Sequence, residues 1–137
     1  MGILNKFKKR EKQEESTNLE GGQATATTEL EQLCGNDKET YEALIHTMFL
    51  DPRKIETSSK EAAENARKFE KAKDFVRARA WYEVAGGLAI YEGNAKRVVE
   101  FFTECGRISP DRKYPILKNP EKAVAKAKEY YKKHLKA

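Results

Sequence analysis

Residues 80–94 read AWYEVAGGLAIYEGN and carry the clearest structural signal in the chain. When this segment is drawn as a helix, apolar residues fall on more than one face, which is typical of a central and mostly buried helix. The pair Gly93 and Asn94 supplies a helix stop followed at once by a helix cap. The pattern therefore predicts a helix from Phe75 to Glu92, with a new helix beginning after Asn94.

Apolar residues continue at helical spacing on both sides of this segment. Ser58 with Glu61 has the pattern of a capping box, and Asn119 followed by Pro120 is typical of a helix start. Frequent Ala, Glu and Lys favour helix over strand throughout. The apolar stripes are Tyr41, Leu44, Ile45, Met48 and Phe49, then Ala62, Ala66, Phe69 and Ala72, then Val98, Phe101, Phe102, Cys105 and Ile108, and finally Ala123, Ala127, Tyr130, Tyr131 and Leu135.

Residues 78–111 resemble one tetratricopeptide repeat, a pair of antiparallel helices about 34 residues long. In that family an early Trp, a small residue midway, a tight turn and a closing Pro recur. Those roles would fall to Trp81, Gly86, the turn Gly93-Asn94, Phe102, Cys105 and Pro110. A second, overlapping match crosses the preceding turn, where small and aromatic residues interlock: Ala66, Phe69, Asp74, Phe75, Ala78, Tyr82 and Ala85.

The two matches share one helix, so they cannot both belong to a regular array. The resemblance implies an all-α fold, a short array of antiparallel helical hairpins with about five helices. One hairpin cannot hide its apolar face alone, and small residues let neighbouring helix axes approach closely. Gly86 and Gly87 in mid-helix therefore indicate close packing or a local bulge. The predicted packing residues are Ala66, Phe69, Ala78, Trp81, Tyr82, Ala85, Gly86, Phe102, Cys105 and Pro110.

The chain divides into two parts by composition. Residues 1–27 are basic at first, then polar and glycine-containing, which predicts a flexible arm and linker. Residues 28–137 form the predicted tetratricopeptide-like helical domain, opening on a capping box of Thr28 and Glu31. No apolar run has the length of a membrane helix. We predict a cytoplasmic protein with reduced thiols.

Catalytic chemistry has little support in the sequence. No metalloprotease, nucleophile-elbow, phosphate-loop or dinucleotide motif is present. His46 and His134 have no companions at metal-ligand spacing, and Cys105 lies on the apolar face of its helix, where a buried side chain is the favoured interpretation. Cys34 and Cys105 are too few for a disulfide framework. We therefore predict no enzymatic activity, no metal and no cofactor.

The resemblance implies a function in protein binding. In that family the first helices of successive repeats line a groove that accepts an extended peptide or a helix. The helix after Ser58 and the final helix would contribute cations to such a groove, which suits an acidic peptide or an acidic partner protein. The predicted partner-binding residues are Lys60, Arg67, Lys71, Lys128 and Lys132. The alternative for these five is ordinary solvated side chains.

A second class of function uses the basic ends of the chain directly. Residues 112–137 carry nine basic and two acidic side chains, and residues 1–10 combine Ile3, Leu4 and Phe7 with lysines. Such segments could bind nucleic acid through phosphate contacts and stacking, or weakly bind an anionic membrane surface. Homodimerisation through exposed end helices is also open. The C-terminal cluster is Lys122, Lys126, Lys128, Lys132, Lys133 and Lys136.

Overall fold

The computed structural model describes residues 29–48 and 51–135. All regular structure in these two ranges is helical, and neither contains a strand, which confirms the predicted all-α class. Residues 29–34 are helical. The further helices are α1 (Lys38–Ile45), α2 (Ser59–Lys71), α3 (Phe75–Glu92), α4 (Ala95–Ile108) and α5 (Pro120–His134), with short 3₁₀ turns at Pro52–Lys54 and Pro115–Lys118. The predicted arm 1–27, the cap Thr28, and the residues Phe49 and Lys136 lie outside the described residues.

Local capping determines where the central helices begin and end. Ser58 and Glu61 form a reciprocal capping box at the start of α2. The side chains of Asp74 and Asn94 accept hydrogen bonds from the first turns of α3 and α4. Gly93 ends α3 in the left-handed region, with φ of 75°, where a residue without Cβ has no steric penalty.

Two helices differ from the expectation. Asn119 occupies the N-cap position of α5, but its side chain makes no capping hydrogen bond. Asp37 caps α1 through the backbone N–H of Thr40, and α1 ends at Ile45, so Met48 of the predicted stripe lies beyond the helix. Apolar periodicity reports neither the rotamer of a capping side chain nor the residue at which a helix ends.

Helix α3 is the centre of the core. It packs against α2, α4 and α5, and its buried residues lie on several faces. Gly86 faces the ring of Phe102 on α4 so closely that an added Cβ would lie 2.5 Å from Cε2 of that ring. Residues 86 and 87 continue the α-helix without interruption. Of the two interpretations of this glycine pair, Gly86 therefore fits close packing.

Most of the predicted packing residues are buried. Ala66, Ala78, Tyr82, Ala85, Gly86, Phe102 and Cys105 lie in the interior, and Trp81 is partly buried against the core. Phe69 is half-buried, with the guanidinium of Arg77 5.6 Å from its ring centroid. Two predictions are corrected. Phe75 is half-exposed, because it is the first residue of α3 and lies at the edge of the α2–α3 contact. Pro110 is exposed as well.

Pro110 contributes to the fold by ending a helix. The preceding residue, Ser109, is the C-cap of α4 and has a non-helical backbone with φ of −127° and ψ of 80°. A proline disfavours the helical region for the residue before it, so Pro110 ends α4 without packing into the core.

The turn between α2 and α3 contains one strained residue. Lys73 has a φ of 63°, in the left-handed region that favours glycine. The backbone N–H of Lys73 donates to the carbonyl of Glu70, and that of Asp74 donates to the carbonyl of Phe69. These two bonds define a Schellman motif with lysine in the position that glycine usually takes.

Candidate partner-binding surface

Helix α2 presents cations on the face that flanks its buried face. Its buried residues are Ser59, Ala62, Ala63 and Ala66. Lys60, Arg67 and Lys71 are exposed, and their spacing of seven and four residues places them along one side of the helix. We call these three residues the cationic face of α2.

Most carboxylates of α2 make hydrogen bonds to other groups of the same chain. Glu61 closes the capping box with Ser58. An Oε atom of Glu70 accepts a hydrogen bond from Nη2 of Arg107 at 2.6 Å. Two hydrogen bonds hold the pKa of Arg107 above its ordinary value: the one to Glu104 has the larger effect, and the one to Glu70 the smaller. Only Glu64 remains on α2 as an exposed carboxylate without such a contact among the described residues, so cations predominate on its surface.

The members of the cationic face differ in their own pairing. Nη2 of Arg67 lies 3.9 Å from Oε2 of Glu100 on α4, and both side chains are about half-exposed, so this pair is weak. In the part of the chain that the structure describes, Lys60 and Lys71 have no carboxylate within ion-pair distance. Two of the three cations are therefore available to a partner.

A buried serine joins the start of α2 to the end of α3. Oγ of Ser59 donates to Oε1 of Glu92 at 2.6 Å, and the backbone N–H of Ser59 donates to Oε2 at 3.2 Å. Arg97, near the start of α4, lies 3.5 Å from the same carboxylate. Sequence reasoning missed this cluster, since its members are far apart in the chain and no local pattern links them.

The two predicted partner-binding lysines of the last helix lie apart from the cationic face of α2. Lys128 and Lys132 are exposed on α5, whose packing partners are α1, α3 and α4. Tyr131 of α5 makes an edge-to-face contact with Tyr91, with ring centroids 5.2 Å apart. Tyr91 precedes Glu92, the partner of Ser59, so α5 contacts the end of α3.

Part of the C-terminal lysine cluster is paired inside the protein. Nζ of Lys122 lies 2.7 Å from Oδ2 of Asp37, which joins α5 to the cap of α1. Nζ of Lys126 lies 3.1 Å from Oε2 of Glu129. The hydrogen bond from Lys122, with those from Thr40, lowers the pKa of Asp37 to about 2.

We expect Asp37→Asn to reduce the free energy of unfolding at neutral pH by an amount that shrinks in acid. Because the folded-state pKa is depressed, the carboxylate stabilises the fold above its ordinary pKa of 3.8, and this contribution is lost as the pH falls towards about 2. Asparagine caps helices about as well as aspartate, so the variant mainly removes the charge. Urea unfolding at several acid pH values measures the effect.

Lys122 provides the control for this prediction. Lys122→Gln should cause the same pH-dependent loss, and the double variant should lose no more than either single variant, because both changes break one pair. A difference between wild type and Asp37→Asn that stays constant as the pH falls to about 2 would contradict the prediction.

Histidine and cysteine are side chains whose chemistry often serves metal binding or catalysis. His46 is exposed, and Nδ1 of His134 lies 3.2 Å from Oε2 of Glu29. No group of three His, Cys, Asp or Glu residues in residues 29–48 and 51–135 could hold a metal ion. Burial raises the pKa of Cys105 to about 12 and also raises the pKa of Cys34, which leaves both thiols protonated at neutral pH.

A small cleft lies beside α3 and contains one carboxylate that the sequence did not indicate. Its volume is about 290 Å³, and its lining residues are Ile45, His46, Thr47, Met48, Ala80, Glu83, Val84 and Phe102. Oε2 of Glu83 accepts a hydrogen bond from the hydroxyl of Tyr114 at 2.8 Å and lies 3.6 Å from Arg112. Glu83 is therefore already paired with Tyr114 and Arg112.

Comparison of the chain with protein-family models, with curated proteins and with solved structures finds no match. Among the described residues, no helix is both long and apolar enough to cross a membrane.

Proposed function

We propose that this chain is a non-catalytic protein-interaction module that binds an acidic segment of a partner protein along the cationic face of α2. The observation that carries the proposal is that acidic side chains of this helix are paired within the protein, whereas, in the described ranges, two of its basic side chains are not. Glu61 and Glu70 are engaged inside the protein, whereas Lys60 and Lys71 are exposed and unpaired among the described residues. An acidic segment would supply the missing counter-charges.

The proposal includes a tetratricopeptide-like arrangement of α2, α3 and α4. Ser59, at the start of α2, is bonded to Glu92, at the end of α3. Arg107, near the end of α4, is bonded to Glu70, near the end of α2. Contacts of this kind are expected where successive helices alternate in direction. In the resembled family, the first helices of successive repeats line the binding groove, and α2 would take that place.

Charge reversal on α2 tests the proposal. We expect Lys60→Glu combined with Lys71→Glu to weaken binding of a fluorescein-labelled oligoglutamate peptide roughly tenfold or more, since two attractive contacts become repulsive. Neither change breaks a described ion pair. Fluorescence anisotropy at low and moderate salt measures the affinity, and thermal melting checks the fold.

A matched control separates position from net charge. Lys113→Glu combined with Lys118→Glu makes the same change in net charge at exposed residues away from α2. We expect that variant to change the affinity less than about twofold. Equal losses in the two double variants would contradict binding along α2.

The alternative, a basic accessory protein of nucleic acid or an anionic membrane, is an outcome of the same assay. Lys122 and Lys126 are paired internally, while Lys128, Lys132 and Lys133 are exposed. Tight binding of labelled single-stranded RNA with a steep salt dependence, lost in Lys128→Glu with Lys132→Glu, would favour the alternative.

A further inference from the structure

The turn between α2 and α3 exposes an apolar pair. Phe75 is 50% exposed and Val76 is 70% exposed, and they are the first two residues of α3. From residue 71 to residue 77, every residue is exposed except Asp74, which caps the helix. No neighbouring residue in the turn covers the pair, so the two side chains form a small apolar patch at the surface.

Cations surround this apolar patch. Lys71 and Lys73 are exposed on the α2 side, and the described residues place no carboxylate within ion-pair distance of either. Arg77 lies one residue beyond the pair, 3.5 Å from Asp74 and over the ring of Phe69. Within residues 71–77, three cations therefore accompany one carboxylate, and that carboxylate is used as a cap.

One of these cations, Lys73, has a strained backbone conformation. Lys73 has a φ of 63°, where glycine would be unstrained. Strained backbone that persists is a reason to look for a function of the side chain. A lysine here adds a charge beside Phe75 that a glycine would not supply.

We propose that the α2–α3 turn docks on an anionic lipid bilayer, with Phe75 and Val76 entering the interface and Lys71, Lys73 and Arg77 contacting the headgroups. This inference goes beyond the proposed function and does not depend on it. An apolar pair on an open turn offers no walls to enclose a peptide, whereas a fluid bilayer interface needs no complementary shape. Apolar side chains flanked by cations are the combination that binds anionic membrane surfaces.

The contact should be weak, reversible and sensitive to salt. Two partly exposed side chains bury little area, and each cation near an anionic surface contributes about a fivefold change in the partition coefficient. We therefore expect binding to vesicles of phosphatidylcholine with phosphatidylserine, little binding to phosphatidylcholine alone, and loss of binding at high salt.

Vesicle co-sedimentation of the full chain tests the apolar part. We expect Val76→Glu to reduce the partition coefficient at least about tenfold, by removing apolar contact and adding repulsion. Glutamate is favourable in the first turn of a helix, so this variant should fold. Val99→Glu, at a valine that is 38% exposed on α4, makes the same change elsewhere and should bind like wild type.

Two further variants separate docking from an effect on folding. Lys73→Gly should melt at or above the wild-type temperature, because it relieves the left-handed strain, and yet bind the vesicles about fivefold more weakly. Cys34 and Cys105 are buried, so an environment-sensitive fluorophore can be attached to Val76→Cys. Its emission should shift to the blue on addition of anionic vesicles, and the same label on Val99→Cys should not respond.

Three results would overturn the inference. Equal vesicle binding by Val76→Glu and Val99→Glu would show that another part of the chain makes the contact. An unchanged emission of the Val76 label would show that the turn does not enter the interface. Loss of oligoglutamate binding in Val76→Glu, with no vesicle binding by wild type, would assign the turn to a protein partner. The last result would contradict membrane docking by the turn but not the binding of an acidic segment along α2. The two proposals can therefore fail independently.

Discussion

Phe102→Ala should lower the free energy of unfolding by about 3–5 kcal/mol. The side chain of Phe102 is 1% exposed and lies between α3 and the segment after α4. Its ring stands 5.4 Å from that of Tyr114, measured between centroids, and it also lies against Gly86. Truncation removes this contact area and leaves a cavity that the surrounding helices can fill only in part. A small domain has about 5–15 kcal/mol of stability in total, so much of it would be lost.

A second phenylalanine provides a matched control for this prediction. Phe75→Ala makes the same chemical change at a side chain that is 50% exposed, and we expect a loss of roughly 0.5 kcal/mol or less. Urea unfolding followed by circular dichroism gives both values. Similar losses in the two variants would mean that Phe102 does not occupy the core described above.

Features that depend on neighbours in sequence could be predicted. The bounds of α3 match the prediction because local groups determine them: Asp74 caps its start, and Gly93 takes the left-handed conformation at its end. The capping box of Ser58 and Glu61 likewise involves residues within one helical turn. In such cases the physical cause lies within a few residues, so the sequence contains the information needed.

Features that depend on how helices pack could not be predicted from periodicity. The pairs Ser59 with Glu92 and Asp37 with Lys122 join residues that are distant in the chain, and nothing in either local sequence indicates the partner. Lys60 and Lys71 are exposed because they lie on a side of α2 that flanks its buried alanines. The separation of Lys128 from that face depends on which helices α5 packs against, and spacing along the chain carries no information about this.

The exposure of Phe75 shows a further limit. Its chemistry favours burial, and the overlapping repeat match assigned it to a set of interlocking residues. It is half-exposed because a residue in the first turn of a helix lies at the edge of the packed face. Hydrophobic character indicates where burial is favourable, but only the position of the helix end decides whether a neighbour reaches that side chain.

Gly86→Ala should destabilise the protein, although alanine is normally the better helix former. An added Cβ would lie 2.5 Å from Cε2 and 2.6 Å from Cζ of Phe102, closer than non-bonded carbon atoms can approach. The ring is buried, and moving it aside would disturb its contact with Tyr114. Overpacking of this kind costs about 1–3 kcal/mol, and we expect it to exceed the gain in helix propensity of about 1 kcal/mol.

Gly106 offers the matched control, since it is a glycine within α4 whose added Cβ would meet no atom within 4 Å. Gly106→Ala should therefore stabilise the protein by about 0.5–1 kcal/mol, opposite in sign to Gly86→Ala. In a double-mutant cycle, Phe102→Leu should remove part of the penalty of Gly86→Ala, because the clash is between these two residues. If both alanine variants stabilise the protein to the same extent, then α3 and α4 do not approach each other at Gly86, and the close packing at the centre of this fold is refuted.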